Sequence, residues 1–172
     1  MVTLSNKYRS RAALWLMITT VVYLLLNGAQ LFETALIVPA WTVNPPESFY
    51  IFQGKYGLDF QAFWIVFHSL HEVTFILAII FCWRLKKIRT WLLILFVIHM
   101  AVRVWTVAYF APTIIAFQQM PYTKTSDTEL LQRTIEWKNL NYLRVAIFMA
   151  VSLGLIPLLN HVLRLKYAES SQ

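Results

Sequence analysis

Apolar residues fall into four long runs, at about 11–38, 60–83, 90–109 and 140–163, separated by shorter polar stretches. A helix rises about 1.5 Å per residue, so about 20 residues cross the roughly 30 Å hydrocarbon core of a bilayer. All four runs reach that length. None alternates with the period of two, over about 10 residues, of an outer-membrane strand. The pattern predicts an all-α integral membrane protein, a four-transmembrane-helix bundle forming one domain over residues 1–172. The first run is longer than a signal-peptide core and ends at Val38-Pro39-Ala40-Trp41 without a cleavage pattern, so it reads as a retained span. Gly154 and Pro157 interrupt the fourth, which predicts a kink or close helix contact there.

Composition excludes the soluble alternatives. The chain is 59% hydrophobic and 13% charged, against roughly 45–50% and about 25% in soluble domains. That leaves too little polar surface to coat a water-facing globule. Disorder fails for the opposite reason, since so apolar a chain does not stay solvated. The single cysteine, Cys82, has no internal disulfide partner, and no Cys/His spacing suits zinc. It is expected as a small apolar residue, buried or facing lipid.

The net charge of +7 is distributed unevenly. Lys7, Arg9, Arg11, Arg84, Lys86, Lys87, Arg89, Arg164 and Lys166, nine of the fifteen basic residues, flank the runs on one side. Lys55, Lys124, Arg133 and Lys138 lie on the other, mixed with Glu47, Asp59, Asp127, Glu129 and Glu136. The positive-inside rule then puts both termini in the cytoplasm, in a multi-pass protein of the inner or plasma membrane. The bilayer, not a nucleic acid, accounts for the basic excess. The basic turn after Trp83 is short, so the second and third spans form a hairpin. Long extracytoplasmic loops with short helical segments are expected at 39–59 and 110–139. The first interleaves Trp41, Phe49, Tyr50, Phe52 and Tyr56, expected at the membrane interface. In the second, Ser126 and Glu129 match a capping box, predicting a helix from Asp127 straight into the fourth span.

Several polar residues sit where they are costly, about 2.5–3.5 kcal/mol for a charge at mid-helix. The spans carry Asn27, Gln30 and Glu33, then His68, His71 and Glu72, then His99 and Arg103, then Asn141 and Arg144. Helical rise puts the ionisable ones about 6–18 Å below the outer helix ends. His68 and Glu72 share a face at i,i+4, as do His99 and Arg103. This predicts one polar pocket in the outer half of the bundle, binding a small hydrophobic or aromatic molecule. His68, His71, His99 and Arg103 are the candidate catalytic groups, with Asn27, Gln30, Glu33, Glu72, Asn141 and Arg144 as ligand-binding ones. The competing account is a non-catalytic protein whose Glu72–Arg103 and Glu33–Arg144 ion pairs only fix helix register. Two pairs still leave three histidines and three amides without a purpose, which favours the pocket.

A metal is the sharpest variant, since imidazole and carboxylate from His68, His71, Glu72 and His99, with Glu33, suit iron, zinc or copper. Haem between two histidines is another. The second motif of a di-iron bundle is missing, and Arg103 disfavours a cation. The expectation is therefore no cofactor, with metal or haem through His68, His71 and His99 as the alternative. His161, near the end of the fourth span, reads as interfacial. Phosphate loops, nucleophile elbows and Cys-x-x-Cys are absent from the sequence. Four spans without an internal repeat also argue against an alternating-access transporter.

Trp137-Lys138-Asn139-Leu140-Asn141-Tyr142-Leu143-Arg144 has the form W-x-x-x-N-x-x-R, after a long loop with Pro121 and before the last apolar helix. It resembles the closing motif of the anthrone oxygenase-like family of small four-span membrane proteins. Gly28 in the first span, and that span's end at Pro39-Ala40-Trp41, are compatible over nearly the whole chain. The resemblance implies a four-helix membrane bundle. It also implies the chemistry of some members, which oxidise polycyclic anthrones to anthraquinones with dioxygen, without metal or flavin. Trp137, Asn141 and Arg144 carry over, adding Trp137 to the ligand-binding set. His68-x-x-His71-Glu72 maps to no part of the family pattern. In such an oxidoreductase a histidine would take an acidic proton from an aromatic substrate. Arg103 or Arg144 would stabilise the enolate and then superoxide or peroxide.

Overall fold

The computed structural model describes residues 5–121, 123 and 127–167. No strand occurs among them. Helix α1 (Asn6–Phe32) starts where the Ser5 hydroxyl accepts from the Tyr8 N–H, and passes through a π-helical turn (Glu33–Ile37) into the short α2 (Val38–Thr42). A 3₁₀ helix (Glu47–Phe52) leads to α3 (Gln61–Phe81). The turn at 82–85 reverses the chain into α4 (Lys86–Trp105), which continues through a second π turn (Thr106–Phe110) into α5 (Ala111–Gln118). The last helix, α6 (Thr128–Tyr167), is unbroken. Four helical stretches are long and apolar enough to cross a membrane: Asn6–Thr42, Gln61–Phe81, Lys86–Gln118 and Thr128–Tyr167.

The second stretch matches its expected limits; the others extend past theirs. Both π turns share a cause. Pro39 and Pro112 come just after them and have no N–H to donate four residues back, to Ala35 and Ala108. The ladder slips by one residue, with the Val38 N–H on the Glu33 carbonyl and the Ala111 N–H on the Thr106 carbonyl. Helix therefore continues where proline reads as an end. Of the loop expected at 110–139, helix covers Ala111–Gln118 and everything from Thr128 on, and the loop expected at 39–59 begins only after Thr42. The helix from Asp127 is present, with the Asp127 carboxylate accepting from the Leu130 N–H at 3.0 Å. The cap is thus Asp127, not a residue of the expected Ser126–Glu129 box, of which Ser126 lies outside the described residues.

Helices α1 and α6 pack along each other; α3 joins α1, α4 joins α6, and α3 meets α4 sparsely. Their common core holds Leu16, Tyr23, Phe75, Leu92, Phe148 and Leu155, with Cys82 fully buried against the Ala12 carbonyl. A second core at the opposite end to the basic turn joins Trp41, Phe49, Phe110, Phe117, Leu130 and Trp137. The Trp41 and Trp137 rings lie 5.0 Å apart and those of Phe49 and Phe117 5.3 Å apart. Trp41 and Phe49, expected at the interface, are thus buried in this aromatic cap, while Tyr50 and Tyr56 are exposed. Outward faces carry Leu25, Val66, Val97 and Val104, a belt of exposed apolar side chains on successive helices.

Gly154 explains the tight approach of α6 to α4: a Cβ there would meet Leu95 Cδ2 at 3.1 Å. Gly28 faces open space. Gly154→Val should therefore destabilise the bundle by about 1–3 kcal/mol, whereas Gly28→Ala should be neutral or stabilising by up to about 1 kcal/mol. Unfolding in mixed micelles measures both, and equal effects would dismiss the close-packing account of Gly154.

Candidate functional site

A polar stripe runs down the buried face of α1, formed by Thr19, Tyr23, Asn27, Gln30 and Thr34 at spacings of three and four. Its members reach different helices. The Thr19 hydroxyl donates to the Thr74 carbonyl of α3 at 2.7 Å. The Tyr23 hydroxyl and His99 Nδ1 of α4 are 2.9 Å apart. Asn27 Nδ2 donates to Ser152 Oγ of α6 at 2.7 Å, and Thr34 Oγ1 accepts from Asn141 Nδ2 at 3.1 Å. Around Tyr23 the side chains are aromatic and nitrogenous. The His71 ring centroid is 3.9 Å from that of Tyr23 and 4.8 Å from that of His99, and Phe148 closes the cluster.

Nearer the cap, one face of α6 presents Trp137, Asn141 and Arg144, at i, i+4 and i+7. The first two serve the guanidinium of the third. Arg144 Nη2 donates to Asn141 Oδ1 at 2.6 Å, and the guanidinium lies over the Phe110 ring at 4.5 Å. Trp137 Nε1 in turn donates to the Phe110 carbonyl at 3.3 Å, fixing the residue on which Arg144 stacks. Phe110 owes its position to the second π turn, because an added residue rotates everything beyond it by about 100°.

These groups back onto a cavity of about 230 Å³. Its inner wall is Gln30, Glu33, Trp137 and Arg144, with His68 and Arg103 toward its base. Phe60, Trp64 and Ile65 of the α3 side face Val107, Phe110, Ile114 and Ile115 of the α4–α5 arm across it. Just below, Arg103 Nε donates to Glu72 Oε1 at 2.7 Å, bridging α4 to α3. Of the two ion pairs in the competing packing account, only Glu72–Arg103 forms: among the described residues Glu33 and Arg144 make no direct ion pair. Arg144 is held by Asn141 and Phe110 instead, and the Glu33 carboxylate lies against the Trp64 indole with Arg144 at longer range. Among the described residues seven buried side-chain polar atoms lack a hydrogen-bond partner. Gln30 Oε1, His68 Nδ1 and Arg144 Nε belong to residues lining the cavity; Asn27 Oδ1, His99 Nε2 and both ring nitrogens of His71 lie deeper.

The expected set thus divides in two. His68, Arg103, Gln30, Glu33, Trp137 and Arg144 border the cavity; His71, His99, Asn27, Glu72 and Asn141 stand behind or below it. Trp64, Phe110, Thr106, Gln61 and Gln118 also line it and carried no signal in the sequence that set them apart. Among the described residues no three His, Cys, Asp or Glu side chains are grouped to hold a metal ion. His71 and His99 meet edge to face and pack on Tyr23. His161 is exposed near the end of α6.

No family model, curated protein or solved structure matches the chain.

The Arg103 and Glu72 side chains are 16% and 29% exposed, so removing one partner strands a poorly solvated charge. Glu72→Ala should cost about 2–4 kcal/mol, and the double change Glu72→Leu with Arg103→Met should recover most of it. Unfolding of the single and double variants in micelles decides this; a double variant no more stable than the single would show that the pair is not the issue.

Proposed function

We propose that this protein binds a small hydrophobic or aromatic molecule in the cavity, within the membrane. One observation carries the reading: aromatic and aliphatic walls meet at a polar end where Gln30, His68 and Arg144, from three helices, each keep a buried atom unpaired. An unpaired buried polar group costs about 1–3 kcal/mol. Three of them lining one space form the convergent polar set of a ligand site. Register alone is served already by Thr19–Thr74, Tyr23–His99, Asn27–Ser152 and Glu72–Arg103. The nine basic residues at the Lys7, Arg84 and Arg164 end support a cytoplasmic position for both termini.

The likeness of Trp137, Asn141 and Arg144 to the anthrone oxygenase-like pattern extends the reading to a cofactor-independent oxygenase. His68 takes the acidic proton of a bound aromatic molecule. Arg103 and Arg144 then stabilise the enolate, and the superoxide or peroxide anion formed as dioxygen accepts its electrons. His71 and His99 sit one layer behind and tune the His68 environment rather than touch the substrate.

The test is mass spectrometry of the organic extract of purified protein. Wild type should retain a specific small molecule, and Arg144→Ala or Gln30→Leu should lower retention about tenfold or more with an unchanged gel-filtration profile. Folded variants that keep the same extract as wild type would leave only the packing account.

A further inference from the structure

Part of the cavity's rim is built from side chains on the outward, apolar faces of two helices. Helices α3 and α4 leave their turn as a hairpin, and the Glu72–Arg103 bridge ties them. Beyond it they part, and the cavity fills the gap between α3 and the α4–α5 arm. On its rim, Ile65 is 58% and Val107 63% exposed, both apolar and both on outward helix faces. At about 1.5 Å per residue from the basic turn, Ile65 stands about 25 Å away and Val107 about 30 Å. In a hydrocarbon layer roughly 30 Å thick, that is the outer part of the far leaflet's acyl region, up to its boundary. On the inner side, Phe110 and Trp137 belong to both the cavity wall and the aromatic cap, and Gln61 and Gln118 line the end nearest the cap.

The polar end also restricts the occupant. Arg144 Nε is a donor without an acceptor, and Gln30 Oε1 an acceptor without a donor. Glu33, Glu72, Arg103 and Arg144 sum to zero charge. A permanently charged head would add an uncompensated charge in a poorly solvated space, whereas a neutral group that both donates and accepts would complete both partners. Resting on the ligand-site reading above, we propose that the cavity loads from the bilayer through the slot between α3 and the α4–α5 arm. The ligand is a lipid-dissolved amphiphile with a neutral hydroxyl-bearing head, an alcohol or a protonated acid, whose apolar body stays in the slot.

The experiment uses the full chain in phosphatidylcholine vesicles. The probe is hexadecanol carrying a photoreactive diazirine near its hydroxyl, with the same chain ending in a phosphate monoester as the charged control. After irradiation, peptides are mapped by mass spectrometry. Expected is saturable labelling of 60–68 and 103–115 by the alcohol, competed by plain hexadecanol and several-fold above the phosphate. Val107→Trp, on an exposed face where folding tolerates it, should cut that labelling several-fold, and Ile65→Trp provides an independent second block. Saturable labelling that both tryptophan variants leave unchanged would overturn the lateral route while keeping the ligand site. Preference for the phosphate would overturn the neutral head. Labelling spread evenly over all lipid-facing helices, together with an empty organic extract from wild type, would remove the ligand site itself.

Discussion

The arrangement of all four long helices depends on the polar stripe of α1. In an apolar environment helices gain little from burying more leucine against leucine, so hydrogen bonds between them decide which faces meet. Thr19, Tyr23, Asn27 and Thr34 rise along one face and bond in turn to α3, α4 and α6. This makes α1 the helix from which the others take their register. It explains why α1 packs closely with both α3 and α6, whereas α3 and α4 are left free to part. The cavity lies beside Gln30, the stripe member that reaches no other helix, and Glu33 next to it.

The two π turns give the upper half of the molecule its shape. Each carries a long helix past a proline, and each re-aims the side chains beyond it. The first carries Trp41 into the cap; the second, ending at Phe110, sets that ring under the Arg144 guanidinium. The face of α6 completes the job, with Asn141 gripping one nitrogen of Arg144 and Trp137 holding the Phe110 carbonyl. The motif Trp137-x-x-x-Asn141-x-x-Arg144 is physically one device for holding an arginine beside an apolar space.

Much of this was legible along the chain, for reasons that can be named. The apolar runs are too long and too unbroken to alternate as strands, so the helices were evident. Their ends were not, because Pro39 and Pro112 carry the ordinary signal of a helix terminus and nothing local distinguishes a proline that induces a π turn. The start of α6 was readable near Asp127 from its polar neighbourhood, although the carboxylate of Asp127, and not the Ser126–Glu129 pattern, identifies the cap. The charged and imidazole side chains of the site stood out by their cost. Spacing put His68 with Glu72 and His99 with Arg103, but it could not say whether those faces look at a cavity or at another helix. His71 and His99 proved to face Tyr23, an ordinary residue in an apolar run, and Trp64 and Phe110 were hidden among many aromatics.

The Glu72–Arg103 bridge has one more geometric consequence. It joins α3 to α4 one turn below His68, at the place where the two helices begin to separate, and so acts as the rivet at the crotch of a pair of tongs. How far the blades can be prised apart is set by the stiffness of about three helical turns above that rivet. Sliding the pair by one turn would deepen or shorten the jaw by about 5.4 Å. Its position on the helices is a ruler for the length of whatever lies between them.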